Sequence, residues 1–229
     1  MMKARSSVVP FSPSSSKDLP TGWEALLEIG ERRSVEAGKT LLEDGSRTES
    51  LYIVLEGQLK MNRLTPAGKN LILSVLGPGD ICGVAGALGE ATSCTSVEAV
   101  VRSVCLEVRR EDLYALLRRT PELLERILPV LTKHLRECSN CLVESSCSKV
   151  ATRLAVLFLR FADRMGEART GGTFIPLPLA RQDLADLAGT TLETAIRIMS
   201  QWGKDGWVET LSDGFLLKNR RRLEELALQ

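Results

Sequence analysis

Histidine is nearly absent from this sequence: His134 is the only one in 229 residues. No Ser-His-Asp constellation forms around it, and a haem would have a single imidazole to draw on. Apolar runs of membrane-spanning length are also missing. The stretch from Met1 to Pro20 holds Ser14, Ser15, Ser16, Pro10, Pro13 and Pro20 but no hydrophobic region of a signal peptide, so it reads as a disordered leader. A cytoplasmic protein without membrane contact is expected. Residues 1–81 contain no cysteine, and all six fall later in the chain. In the cytosol these read as thiols, metal ligands or redox sensors rather than a disulfide framework. Excess charge is lacking too. The net charge is +1, and residues 149–229 hold twelve Lys and Arg against ten Asp and Glu, a local balance of +2. Contact with nucleic acid must therefore be argued from local placement.

What the chain does contain divides it. With 44% hydrophobic and 26% charged residues, it reads as globular and long enough for two modest domains. From Trp23 to about Arg109 the segments 39–43, 51–55, 58–63, 70–75, 96–100 and 104–108 are strand-sized and apolar or alternating. Asp44-Gly45, Glu56-Gly57, Pro66-Ala67-Gly68 and Gly77-Pro78-Gly79-Asp80 supply the turns. Such spacing predicts an antiparallel barrel or jelly roll. A short amphipathic helix is expected over Glu111 to Arg119.

Thr120-Pro121-Glu122 then opens a long helix, with Thr as N-cap and Pro in the first helical position. Leu124, Leu128, Leu131, Leu135, Cys138, Leu142 and Ser145 recur at alternating steps of four and three, a coiled-coil seam. A seam on so long a helix implies a second copy, hence a homodimer, and Pro129 should bend the shaft. Beyond a Gly-rich tip at 168–172 and an extended piece at 174–179, a helix over Arg181 to Ala188 ends at Gly189. A second runs from Thr190 to about Lys204, and Gly206 to Leu217 forms a wing turning at Asp213-Gly214. Ala185, Gly189, Ala195 and Ile198 stand where a helix-turn-helix crosses closely. The expected class is α+β. Its parts are a disordered N-terminus at 1–20, a sensory β-roll at 21–119, a dimerisation helix at 120–167 and a winged helix-turn-helix at 168–229.

This order of parts, with LYIVLEGQLK, GPGDICG and LARQDLADLAGTTLETAIRIMSQWGKDGWV, resembles the CRP/FNR family of bacterial transcription regulators over about residues 21–222. The resemblance implies double-stranded DNA and RNA polymerase as partners and no enzymatic activity; Cys138-Ser139-Asn140-Cys141 lies mid-helix rather than in a thioredoxin-like setting. Glu193 and Arg197 match the family's base readers, carboxylate to cytosine N4 and guanidinium to guanine O6 and N7. Thr190-x-x-Glu193 is at the same time a capping box, a rival use of that carboxylate. Arg181, Thr191 and Thr194 match phosphate contacts. Leu192 and Ile196 replace the residues that read the outer bases, so only a palindrome with a G-A step in each half carries over.

In the family's cyclic-AMP binders a Glu holds the ribose and an Arg-Ser pair the phosphate. Here those positions are Val84 and Cys94-Thr95, which argues against cyclic AMP because a buried phosphate would lack its guanidinium. The FNR branch implies a 4Fe-4S cluster. Cys105 matches its fourth ligand, and Cys138-x2-Cys141-x5-Cys147 repeats the spacing of the absent N-terminal trio. At about 100° per residue, however, Cys147 points opposite Cys138 on a straight helix. Either the helix unwinds around Ser145, Ser146 and Ser148, which are poor helix formers, or Cys147 is not a ligand with the others. The alternatives are a thiol switch, a small apolar effector in the roll, or structural cysteines with no effector.

Overall fold

A computed structural model describes residues 23–89, 91–147 and 149–228. The N-terminal half is built on two four-stranded antiparallel sheets. The first, in order β1-β8-β3-β6, comprises β1 (Glu31–Val35), β3 (Ser50–Glu56), β6 (Ile81–Cys82) and β8 (Ser103–Arg109). The second, in order β2-β7-β4-β5, comprises β2 (Thr40–Leu42), β4 (Leu59–Leu64), β5 (Asn70–Leu76) and β7 (Ser96–Ala99). Between them lies a core of Val35, Leu41, Leu42, Tyr52, Val54, Leu59, Leu76, Cys82, Val97, Ala99 and Cys105. The expected roll is present, each forecast strand displaced by no more than a residue or two.

The turns follow their residue chemistry. Gly57 has φ +84° and closes on β8 so tightly that a Cβ there would stand 2.3 Å from Ser103 Oγ, so only glycine serves. Gly68, at φ +76°, completes the hairpin between β4 and β5, where the Thr65 N–H donates to Lys69 O at 2.8 Å.

Three helices lie on the outer face of the first sheet: α1 (Glu24–Ile29), α2 (Val84–Leu88) and α3 (Arg110–Arg119). Reading all of 23–109 as strands misses α1 and α2, which at six and five residues carry too little periodicity to register. Strand alternation in β8 sends Leu106 and Val108 toward these helices and Cys105 into the roll.

The expected single shaft over 120–167 is corrected. α4 (Glu122–Cys147) and α5 (Val150–Met165) are separate helices, parted where Lys149 adopts an extended backbone with ψ 151°. α4 has two adjacent faces. Leu123 and Ile127 are buried against the roll's helical layer, whereas Leu124, Leu128 and Leu135 are 41%, 54% and 70% exposed. These three seam residues are therefore uncovered within one chain, while Leu131 is partly buried against the same helical layer. α5 buries Leu154, Ala155, Phe158, Phe161 and Ala162 in the C-terminal core, so the domain boundary falls between the two helices rather than after Glu167.

That C-terminal core also takes in α6 (Arg181–Leu187), α7 (Leu192–Lys204) and α8 (Arg220–Ala227). A third sheet, in order β11-β12-β10-β9, joins β9 (Glu167–Arg169), β10 (Gly172–Ile175), β11 (Val208–Leu211) and β12 (Gly214–Leu217). Phe158 meets Trp202 and Phe215 edge-on at 6.0 and 5.1 Å. These T-shaped contacts tie α5, α7 and the wing together. Among the described residues no helix is long and apolar enough to cross a membrane.

Candidate nucleic-acid interface

The site is assembled by α6, the turn after it and α7. α6 begins where the Ala180 N–H donates to Asp183 Oδ2 at 2.9 Å. Gly189 at φ +61° turns the chain, and the Thr190 N–H donates to Ala185 O at 2.9 Å. Ala185 and Ala195 are fully buried, small enough to let the two helices approach. α7 then starts at Leu192, not Thr190. Its N-cap is Thr191, whose Oγ1 accepts from the Thr194 N–H at 3.3 Å and lies 3.0 Å from Thr194 Oγ1.

That one-residue shift in the cap decides how Glu193 is used. Thr191 pairs with Thr194, so the Thr190-to-Glu193 capping box does not form. Glu193 is left exposed in the first turn of α7. Arg197, one turn on, is exposed as well. Neither has a side-chain hydrogen bond or ion pair among the described residues. Ala195, Met199 and Trp202 bury the opposite side. The outward ridge thus presents an acceptor and a five-donor fork at i, i+4, a geometry suited to base edges in a major groove.

Arg181 is half-buried. Its Nη2 donates to Thr210 Oγ1 at 2.6 Å, and its guanidinium lies 6.0 Å from the Phe215 ring centre. Burial holds it below its ordinary pKa. The forecast phosphate contact therefore also pins the wing to α6. A cleft of about 360 Å³ runs between α7 and β11, lined by Arg181, Ser200, Gly203, Thr210 and Lys218 among others.

A second set of residues escaped the sequence reading altogether. Lys60 of β4 donates to Asp183 Oδ1 at 2.9 Å and also reaches Glu98 at 3.2 Å. Asn70 Nδ2 donates to Asp186 Oδ2 at 3.0 Å, and Gln58 Nε2 to Pro176 O at 2.7 Å. Arg164 of α5 pairs with Asp80 and donates to Val75 O at 2.6 Å. Burial pulls the Arg164 pKa down to about 10, which leaves it charged at neutral pH. The C-terminal domain is thereby fastened to the outer face of the roll's second sheet. Partners 84 (Asp80 to Arg164) to 123 residues apart leave no local signal in the sequence.

In the roll, Val84 opens α2 and packs partly into the helical layer. Cys94 is exposed, and the Thr95 carbonyl accepts from Ser93 Oγ at 2.6 Å. The described residues of the 89–95 loop include no cation.

The cysteines are not gathered. Cys105 is fully buried beside Cys82 inside the roll, across the first sheet from α4. Burial raises the Cys105 thiol to about 11 and the Cys82 thiol further still, the reverse of what a ligating or reactive thiol needs. As fourth ligand to a cluster on α4, Cys105 does not fit. The backbone stays helical through Cys138, Cys141 and Cys147, so the unwinding that would converge all three is not seen; their side chains lie outside the described residues. Among the described residues no group of three His, Cys, Asp or Glu could hold a metal ion.

Residues 32–120 match the family described as "Cyclic nucleotide-binding domain" and residues 152–226 the "Crp-like helix-turn-helix domain". The "CRP-like cAMP-activated global transcriptional regulator" of Mycobacterium tuberculosis is 28% identical over 192 residues, 83% of this chain and 85% of that protein. The "Nitrogen fixation regulation protein FixK" of Bradyrhizobium diazoefficiens is 27% identical over 199 residues, 87% of this chain and 83% of that protein. The structure of FixK2 from Bradyrhizobium japonicum superposes with a TM-score of 0.76 at 23% identity, covering 86% of this chain and 97% of that one.

Proposed function

Since the chain belongs to the CRP/FNR family of DNA-binding, non-enzymatic transcription regulators, we propose that it acts as a homodimer on a palindromic site with a G-A step in each half. The observation that carries this reading is the exposed Glu193–Arg197 ridge, freed by the Thr191 cap. On this reading Glu193 accepts from cytosine N4, and Arg197 donates to the guanine O6 and N7 edge. Thr191, Thr194 and Arg181 hold phosphates on either side, and two-fold symmetry sets the half-sites about one helical turn apart. The uncovered seam of Leu124, Leu128 and Leu135 joins the two copies, and RNA polymerase is the partner on the bound promoter. Replacing Arg197 with Ala should cost about 1–3 kcal/mol, roughly 5- to 150-fold in affinity, and relax selectivity at one base. Unchanged affinity and selectivity in a mobility-shift titration would refute the assignment.

The signal, on our reading, is something other than cyclic AMP, because Cys94 and Thr95 offer a cyclic phosphate no guanidinium and no cation of the described loop replaces it. A response to redox state or nitric oxide rests on Cys138, Cys141 and Cys147 in α4, without Cys105. The wide angle between Cys138 and Cys147 on a continuous helix favours their acting as separate thiols over sharing one cluster. An ultraviolet-visible spectrum of anaerobically purified protein, with iron and sulfide analysis, tests this. Colourless, iron-free protein whose DNA affinity responds to peroxide supports thiols; iron and sulfide in stoichiometric amounts overturn the preference.

A further inference from the structure

Two apolar side chains stand on the DNA-facing side of α7. Leu192 is 40% exposed and Ile196 43% exposed. Neither belongs to the C-terminal core, which takes Ala195, Ile198, Met199 and Trp202 from the same helix. They are four residues apart, so they form a ridge of their own beside the Glu193–Arg197 ridge. A single exposed leucine means little. Here, however, Leu and a β-branched Ile occupy consecutive turns of a helix surface where packing demands nothing and long polar residues would favour the helix at least as well.

The major groove displays one apolar group, the C5-methyl of thymine. We propose that Leu192 and Ile196 read sequence by packing on thymine methyl groups next to the bases that Glu193 and Arg197 recognise. Ile196 is suited to this because its branched Cβ leaves one strongly preferred χ1 in a helix, which fixes where its methyl groups point. Leu192, in the first turn, has its place set by the Thr191 cap. The ridge thereby supplies the outer specificity of the half-site, while the polar ridge supplies the inner G-A step. This inference rests on α7 being the base-reading helix.

The experiment uses the full-length dimer. Binding sites are selected from a random duplex library, and each thymine of the selected sequence is replaced in turn by deoxyuridine, which removes only the methyl group. Uracil at one or two positions flanking the G-A step should weaken binding about fourfold per contact, and about fifteenfold when both symmetry-related thymines are changed. Ile196→Ser or Leu192→Ser should abolish that thymine-over-uracil preference and leave the penalty for altering the G-A step intact. Equal binding of thymine and uracil duplexes at every position, with the G-A penalty retained, overturns the methyl contact alone. Loss of the G-A penalty as well overturns base reading by Glu193 and Arg197. A thymine preference that survives in both serine variants assigns the methyl contact to other residues and also overturns the proposal.

Discussion

Replacing Lys60 should loosen the grip of the roll on the DNA-binding domain. The ammonium sits between two carboxylates, Asp183 at 2.9 Å and Glu98 at 3.2 Å, with only 14% of its side chain exposed against 15% for Asp183. At that depth a charge-assisted hydrogen bond is worth about 1.5–3 kcal/mol. Lys60→Met costs more than the bond itself, because Asp183 and Glu98 then face each other without the cation; a loss of about 3 kcal/mol is expected. Asp183→Asn keeps an oxygen for the Ala180 N–H, so it removes the ion pair while sparing the start of α6. The double variant should lose less than the sum of the two. Urea unfolding followed by the fluorescence of Trp202 and Trp207, in a Trp23→Phe background, gives the coupling energy. A value near 1.5–3 kcal/mol is expected, and one below about 0.5 kcal/mol would refute the reasoning, since independent sites add to within that margin. The pH behaviour has a definite sign. Burial pulls the Lys60 pKa down, but the hydrogen bonds and charges of Asp183 and Glu98 more than offset it, leaving it raised. The contribution is thus complete below the ordinary lysine value and is lost only as pH rises through the raised one, so the cost of Lys60→Met should stay flat from about pH 7 to 9.

Changing Leu124 and Leu128 together to Glu should turn the dimer into monomers in sedimentation-velocity runs with an unaltered circular dichroism spectrum, because both side chains are exposed within one chain; persistence of the dimer would place the interface elsewhere. In a background with Cys138, Cys141 and Cys147 changed to Ser, Ellman's reagent should label Cys94 rapidly in the native protein. Cys82 and Cys105 should react only after denaturation, since burial raises both thiols.

The roll was legible because its strands alternate and its turns carry Gly, Pro and Asp at the positions their dihedrals demand, as at Gly57 and Gly68. The polar strand β1, with four exposed residues in five, has no such pattern and was missed. The exposed ridge of α7 was legible in residue type, and the rival use of Glu193 in a cap turned on one position: with Thr191 rather than Thr190 as the cap, its carboxylate is left out of the helix start. The break at Lys149 went unseen because α5 continues an amphipathic pattern while burying it in a different core. Least legible was the seam between domains. Asp183 reads locally as a first-turn acid of α6, and only the fold brings it to Lys60.

The 26-residue helix α4 is about 39 Å long and, among its described side chains, packs on the roll's helical layer near its start, at Leu123, Ile127 and Leu131. It therefore works as a lever. From Leu131 to Cys147 the arm is about 24 Å, so a tilt of about 5° at the pivot swings the far end by roughly 2.1 Å. The DNA-binding domain begins three residues beyond that end, yet Lys60, Asn70 and Arg164 also bolt it directly to the roll. Shaft and bolts close a mechanical loop. A pivot at one corner can move the reading heads only by slipping those bolts.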